Sequence, residues 1–489
     1  IPNTVTFTAA SNSADAILLG SGGVGDLTLR GGTRMTVGAG DLRLGDGAGS
    51  IGRLTLETGA SLSAPSNGHP GASGEVVLGD EGVGSLEIRS GATMDCHSIF
   101  VGGAPSTAHG ALVVDGPGST LSAAALSIAN GDGPGSVSIE NGATVSTSGA
   151  FSLQVTLASD GTMVIRNSTL NATTAVRIAG RFTMADSTIN AADFILNTDA
   201  AASGVIHARI RQDSLHTLSA GGDLSLGDGS AQAYQGVPLA VGPHHVTIHH
   251  SGSATLGDTS LAGGILTGTH GLGLPAGRTI TGTGTIEGSV GNSGAVVATG
   301  AEGLTFAGTV SGLGQGITGT RITFAPTGGL FGAGTIAAAV VAQAGSILTF
   351  TGPSAIGNGT PSGFTCDGTL NVLGDLTVND SSGFNLGPST TLRNATLRCT
   401  PGITVPAGVE PGRLVGAGTL AGQVLNLGVI APGLAGTDDT TQFTVAGPYT
   451  QERSGITGTL DLDLEGPGAG QADRLVVQGT ATLRGRINL

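Results

Sequence analysis

Carboxylates alternate with leucines at Asp461-Leu-Asp463-Leu-Glu465. On an extended strand, residues i and i+2 share a face about 6.6 Å apart. Three carboxylates would then line one side of a single strand. Paired carboxylates at that separation suit glycoside hydrolysis or calcium ligation, and the plain alternative is the solvent face of an amphipathic strand. Four histidines, His244, His245, His249 and His250, flank Val246-Thr-Ile248. On a strand, His245 and His249 share a face about 13 Å apart, too far to chelate one metal without ligands from a neighbouring segment.

Other motifs are weaker. Gly22-Gly-Val-Gly25-Asp26 has the residue types of a calcium-binding nonapeptide. Its Asp follows the last Gly directly, and no nine-residue tandem exists, so turn chemistry accounts for it. The Gly-x-Gly elements at 282–286 and 416–420 lack the following helix whose N-terminus would meet a phosphate. Cys366 and Cys399 are separated by the length of one repeat plus an insertion. On adjacent rungs of a repeating fold they would face each other, as a disulfide in an oxidising exterior or as buried thiols, leaving Cys96 alone. Neither metal nor cofactor is expected.

Composition limits what can position such residues. Gly supplies 89 of 489 residues, charged residues 11%, aromatics 3% with no Trp, and all 19 basic residues are Arg. Gly costs roughly 1 kcal/mol per helical position relative to Ala, so helical architectures are excluded. Collagen fails for want of a strict Gly period, and disorder fails on low charge with 39% hydrophobic residues. A net charge of −15 argues against nucleic acid, whose phosphates need a basic face. No apolar run approaches the roughly 18 residues of a membrane-spanning helix.

One phrase recurs along the N-terminal part of the chain: Leu27-Thr-Leu29, Leu54-Thr-Leu56, Leu86-Glu-Ile88, Leu112-Val-Val114 and Val137-Ser-Ile139, each followed by a Gly-containing turn and another apolar residue. The starts keep a near-constant step, with the longest one falling between Leu54 and Leu86. Between them lie short strands that end in Gly: Leu42-Arg-Leu44-Gly45, Val77-Leu78-Gly79 and Ile99-Phe-Val101-Gly102, with Ile128-Ala-Asn-Gly131 continuing the series. Alternation marks half-buried strands, and Gly supplies the turns because it accepts positive φ. A unit of about 26 residues cannot bury a core alone, but stacked coils bury a continuous column. The expectation is an all-β parallel β-helix, or β-solenoid, of about 18 coils forming an elongated rod on the order of 90 Å long.

Four stretches are distinguished: an N-terminal capping or assembly segment over 1–20, regular coils over 21–150, narrower coils with stacked polar ladders over 151–280, and a second repeat family over 281–489. The narrower coils show in Asn167-Ser-Thr-Leu-Asn-Ala172 and Asp186-Ser-Thr-Ile-Asn-Ala191, which follow each other more closely than the copies of the first phrase. The second family carries Gly282-Thr-Gly-Thr-Ile286, Gly332-Ala-Gly-Thr-Ile336 and Gly416-Ala-Gly-Thr-Leu420.

The stretches Gly418-Thr-Leu-Ala-Gly-Gln-Val424, Ile430-Ala-Pro-Gly433, Phe443-Thr-Val-Ala-Gly-Pro-Tyr449 and Asp473-Arg-Leu-Val-Val-Gln-Gly-Thr-Ala-Thr-Leu483 resemble the late passenger region of bacterial type V autotransporters. The N-terminal phrase resembles autotransporter-associated β-strand repeats. The resemblance implies a right-handed β-helix at the surface of a Gram-negative-type cell. The family's C-terminal membrane barrel is not matched, because no amphipathic barrel strands of about ten residues follow these stretches.

Two classes of function are expected. The first is an extracellular structural or adhesive solenoid, self-assembling head to tail, with surface glycans or matrix as further partners. An open coil exposes unpaired backbone, so the ends Ile1, Pro2, Val5, Phe7, Leu483, Ile487 and Leu489 are the assembly candidates. The alternative is a carbohydrate-active β-helix, either a lyase or a hydrolase. With no Trp and two Tyr, Tyr234 and Tyr449, few aromatics are on hand to stack a sugar. No catalytic residue is singled out, and the protein is read as a non-enzyme.

Overall fold

The structure is a computed structural model. It describes the chain apart from residues 1–2, 8–10, 39, 66–73, 104–105, 130–132, 149–154, 159, 213–214, 408–411, 434–440, 454 and 464–471. It is all-β, with parallel strands stacked coil upon coil into a β-solenoid. Among the described residues, no helix is long and apolar enough to cross a membrane. The chain divides into two compact units, 1–254 and 255–489.

In the first unit each coil contributes to three stacks of strands. The first stack runs through Asn3–Phe7, Val24–Leu29, Ile51–Leu56, Val83–Arg89, His109–Asp115, Gly135–Glu140 and Thr162–Arg166. Its register superposes the recurrent phrase: Leu27, Leu54, Leu86, Leu112, Val137 and Met163 form one buried column, and Leu29, Leu56, Ile88, Val114, Ile139 and Ile165 the next. The apolar residue after each turn, Met35, Leu62, Met94, Leu121 or Val145, builds the core of the second stack. Leu44, Leu78, Val101 and Ile128 belong to the third. In the first coil, Asn3–Phe7, Ser11–Ala14 and Ile17–Leu19 pair with the three strands of the next coil.

Glycine decides how each coil closes on the next. Gly20, Gly45, Gly79 and Gly102 take φ of 72°, 70°, 73° and 94° at the end of the third strand. Ala129 occupies the equivalent place at φ 54°, at the left-handed strain cost that Gly avoids. Facing these turns is a register column of five further glycines, Gly25, Gly52, Gly84, Gly110 and Gly135. A Cβ on Gly110 would lie 2.1 Å from the Gly102 nitrogen, so only a bare backbone fits there. Toward the C-terminal side of this unit the coils shorten. Met163 stacks on Val137 across a full-length coil, whereas Phe182 stacks on Met163 across a clearly shorter one.

In the second unit, residues 255–489, the Gly-x-Gly-Thr elements are corners. Strand Thr279–Glu287 pairs with Ala295–Ala298 through its first half and with Leu304–Phe306 through its second. Between the halves, Gly282 and Gly284 adopt φ of 120° and 141°. Arg413–Ala421 repeats the device, pairing with Val429–Pro432 and then Gln442–Val445 about Gly416 and Gly418, at φ 110° and 146°. The core here is phenylalanine-rich, with Phe306 over Phe324 at 6.0 Å and Phe364 over Phe384 at 4.7 Å between ring centroids.

Candidate functional site

On the outer faces of the first unit, ion pairs link successive coils. The residue after the second apolar position of each phrase stacks as Arg30, Glu57, Arg89, Asp115, Glu140 and Arg166. Glu57 pairs with both Arg30 and Arg89, the latter at 3.1 Å, and Glu140 pairs with Arg166 at 3.1 Å. At the like-charge step, Asp115 accepts from Asn141 Nδ2 at 2.7 Å and Glu140 from Ser138 Oγ at 2.6 Å. Elsewhere, Arg43 bridges Asp41 and Asp80, and Asp193 holds Arg209 and Arg211. The expected polar ladder is present: Asn171 Nδ2 donates to Ser146 Oγ at 3.3 Å, and Asn190 Nδ2 to Asn171 Oδ1 at 2.8 Å.

Asp461 is half-buried and accepts from Asn488 Nδ2 at 2.6 Å, whereas Asp463 is exposed. Both line a shallow cleft of about 360 Å³ with Arg413, Pro432 and Asn488. Glu465 lies outside the described residues. A further carboxylate, Asp473, is buried beside them. It accepts from the Thr441 backbone at 3.1 Å and the Asp463 backbone at 3.2 Å, tying two coils together. His245 and His249 are exposed and His250 buried, and the His245 backbone donates to Asp223 at 2.9 Å. Among the described residues no group of three His, Cys, Asp or Glu is placed to hold a metal ion. Asp26 pairs with Arg53 at 3.6 Å.

The cysteines are not brought together. Cys366 stacks on Ala342 and Cys399 on Val378, in two different strand stacks, and all three cysteines are free and buried. The adjacent-rung pairing expected from their spacing fails because the local coils are short, as the steps from Phe364 to Phe384 and from Leu376 to Leu397 show. The longer separation of the two cysteines therefore ends on a different face. Burial, with Asp95 adding to it, pushes the Cys96 thiol up to about 12. Burial likewise raises Cys366 to about 12.

A second cleft, of about 380 Å³, opens on the second unit across successive coils. Its floor is a register column of Thr285, Thr305 and Thr323, and its rim carries Thr283, Glu302, Arg321 and Gln343. Two local features shape it. The strand Ile317–Phe324 slips register between Thr318 and Arg321, a bulge that re-aims side chains. Gly303, at φ 67°, brings the Glu302 turn so close that a Cβ there would lie 2.0 Å from the Arg321 carbonyl oxygen. Among the described residues, none of these polar side chains has a hydrogen-bond or ion-pair partner. No spacing rule reveals this set, because Glu302 and Arg321 meet only through the register of irregular coils.

The last coil presents a different surface. Arg474–Val477, Ala481–Thr482 and Arg486–Asn488 each pair on one side only among the described residues, with Gln442–Val445, Tyr449–Thr450 and Thr459–Asp461. A buried amide anchors it, Gln451 Nε2 donating to the Arg486 carbonyl at 2.9 Å, and one coil earlier Asn426 Nδ2 donates to Tyr449 Oη at 3.1 Å. Ile487 continues the core column of Leu414, Ile430 and Leu460, yet is 49% exposed, with Leu483 at 55% and Leu489 at 81%. In the first coil, Val5 and Phe7 stand in register with Leu27 and Leu29, while Ile1 and Pro2 lie outside the described residues. Set against known proteins, the chain matches no protein-family model and no curated protein, so the likeness to autotransporter passengers rests on the residues quoted above.

Proposed function

We propose that this protein is an extracellular structural and adhesive β-solenoid of a Gram-negative-type cell surface, built to assemble head to tail with copies of itself. The observation that carries the reading is the register of the coils, in which each copy of the recurrent phrase lies on the one before it, with Leu27, Leu54, Leu86, Leu112, Val137 and Met163 in one buried column. Parallel coils pair through their backbones, and the same pairing between copies is a heterologous contact, which propagates as a filament rather than closing. Ion pairs that brace successive coils support the scaffold role.

Ile487→Asp places a charge in the register column of Leu414, Ile430 and Leu460. By concentration-dependent light scattering, the native chain is expected to grow into large species and the variant to remain small. Equal growth of the two would count against assembly through this coil.

A further inference from the structure

We propose that the cleft over Thr285, Thr305 and Thr323 binds one residue of a neutral glycan chain, held between Glu302 and Arg321. The inference rests on the adhesive reading and supplies its ligand class. Glu302 and Arg321 line one cleft from adjacent coils without forming an ion pair. An arginine and a carboxylate kept apart beside a column of free hydroxyls leave room for a ligand that satisfies both.

The donor and acceptor inventory selects the class. Arg321 offers only donors, Glu302 only acceptors, and the three Thr hydroxyls and Gln343 offer both. The complement is a molecule whose every polar group both donates and accepts, which is the property of a sugar hydroxyl. A carboxylated or phosphorylated ligand would satisfy Arg321 but set its charge against Glu302 and against a chain of net charge −15. A cation would reverse the conflict at Arg321. The volume of about 380 Å³ falls at the small end of ligand sites, which span roughly 300–1,000 Å³. No aromatic lines the cleft, so a single site is weak. Repetition along an assembled filament would raise the avidity through effective concentration.

The test is calorimetric titration of the full chain with maltotriose, cellotriose and triacetylchitotriose, and with trigalacturonate as the acidic comparator. Glu302→Gln and Arg321→Gln are the variants, with circular dichroism and melting as fold controls; both side chains are exposed. The expected result is that at least one neutral trisaccharide binds and that each variant weakens it by about tenfold or more, the size of a lost hydrogen bond to a charged group. No neutral binding, binding of trigalacturonate alone, or binding undiminished in both folded variants would overturn the proposal. Assembly is followed in the same samples by light scattering. Assembly without sugar binding rejects the cleft alone, and sugar binding without assembly rejects the filament alone.

Discussion

A single methyl group is more than Gly416 can absorb. Its φ is 110°, and a Cβ would stand 2.0 Å from the Leu392 carbonyl oxygen on the preceding coil. Gly59 also has positive φ, 71°, but nothing lies within 4 Å of its would-be Cβ. Gly59→Ala therefore isolates the backbone strain, about 1–2 kcal/mol, while Gly416→Ala adds a clash with backbone that has to move. Urea titration is expected to show a clearly larger loss for Gly416→Ala, and equal losses would refute the corner reading. The buried thiols make a second residue-scale prediction. With Cys96 and Cys366 held near 12 against an ordinary 9.0, no thiolate forms at neutral pH, and an aromatic disulfide reagent should label the native protein only as it unfolds. The folded value lies above the unfolded one. Their contribution to stability is thus complete below about pH 9 and declines as pH rises toward 12. Fast labelling of all three thiols in native protein at pH 8 would contradict the placement.

At the scale of the element, the Leu-x-Leu phrase was readable in the sequence because its apolar residues are also its register partners, Leu27 over Leu54 over Leu86. The narrower coils and their Asn ladder were readable for the same reason, since Asn171 and Asn190 hold the same place in two coils. What stayed hidden depends on coil length. Cys366 and Cys399 looked like rung partners until the shorter coils of the second unit put them on separate stacks. The column from Gly25 to Gly135 hid among turn glycines, although its constant place just ahead of each phrase was there to be counted. The stacked charges Arg30, Glu57, Arg89, Asp115, Glu140 and Arg166 predict different sizes of effect for two substitutions. Glu57→Gln removes the partner of two arginines and should cost about 1 kcal/mol at low salt and less at high salt. Asp115→Asn removes an attraction to Arg89 together with a repulsion from Glu140 and should therefore change stability by less. Thermal melting at two salt concentrations reads both; destabilisation of equal size by the two changes would rule out the ladder as an electrostatic unit.

For the whole molecule, the coils are braced from outside as well as through the core. Along the first unit, ion pairs join carboxylates and guanidiniums of successive coils. The composition anticipated the repetitive scaffold, because Gly at this abundance serves tight turns and close coil contacts. The composition was silent on the cleft around Glu302 and Arg321, which needs a bulge and a register to exist. The central claim is that copies of the chain assemble head to tail. Electron microscopy of the purified chain across a concentration series tests it most directly. The account predicts unbranched filaments whose axial repeat is one chain, absent in Ile487→Asp; discrete single-chain particles at every concentration would contradict it.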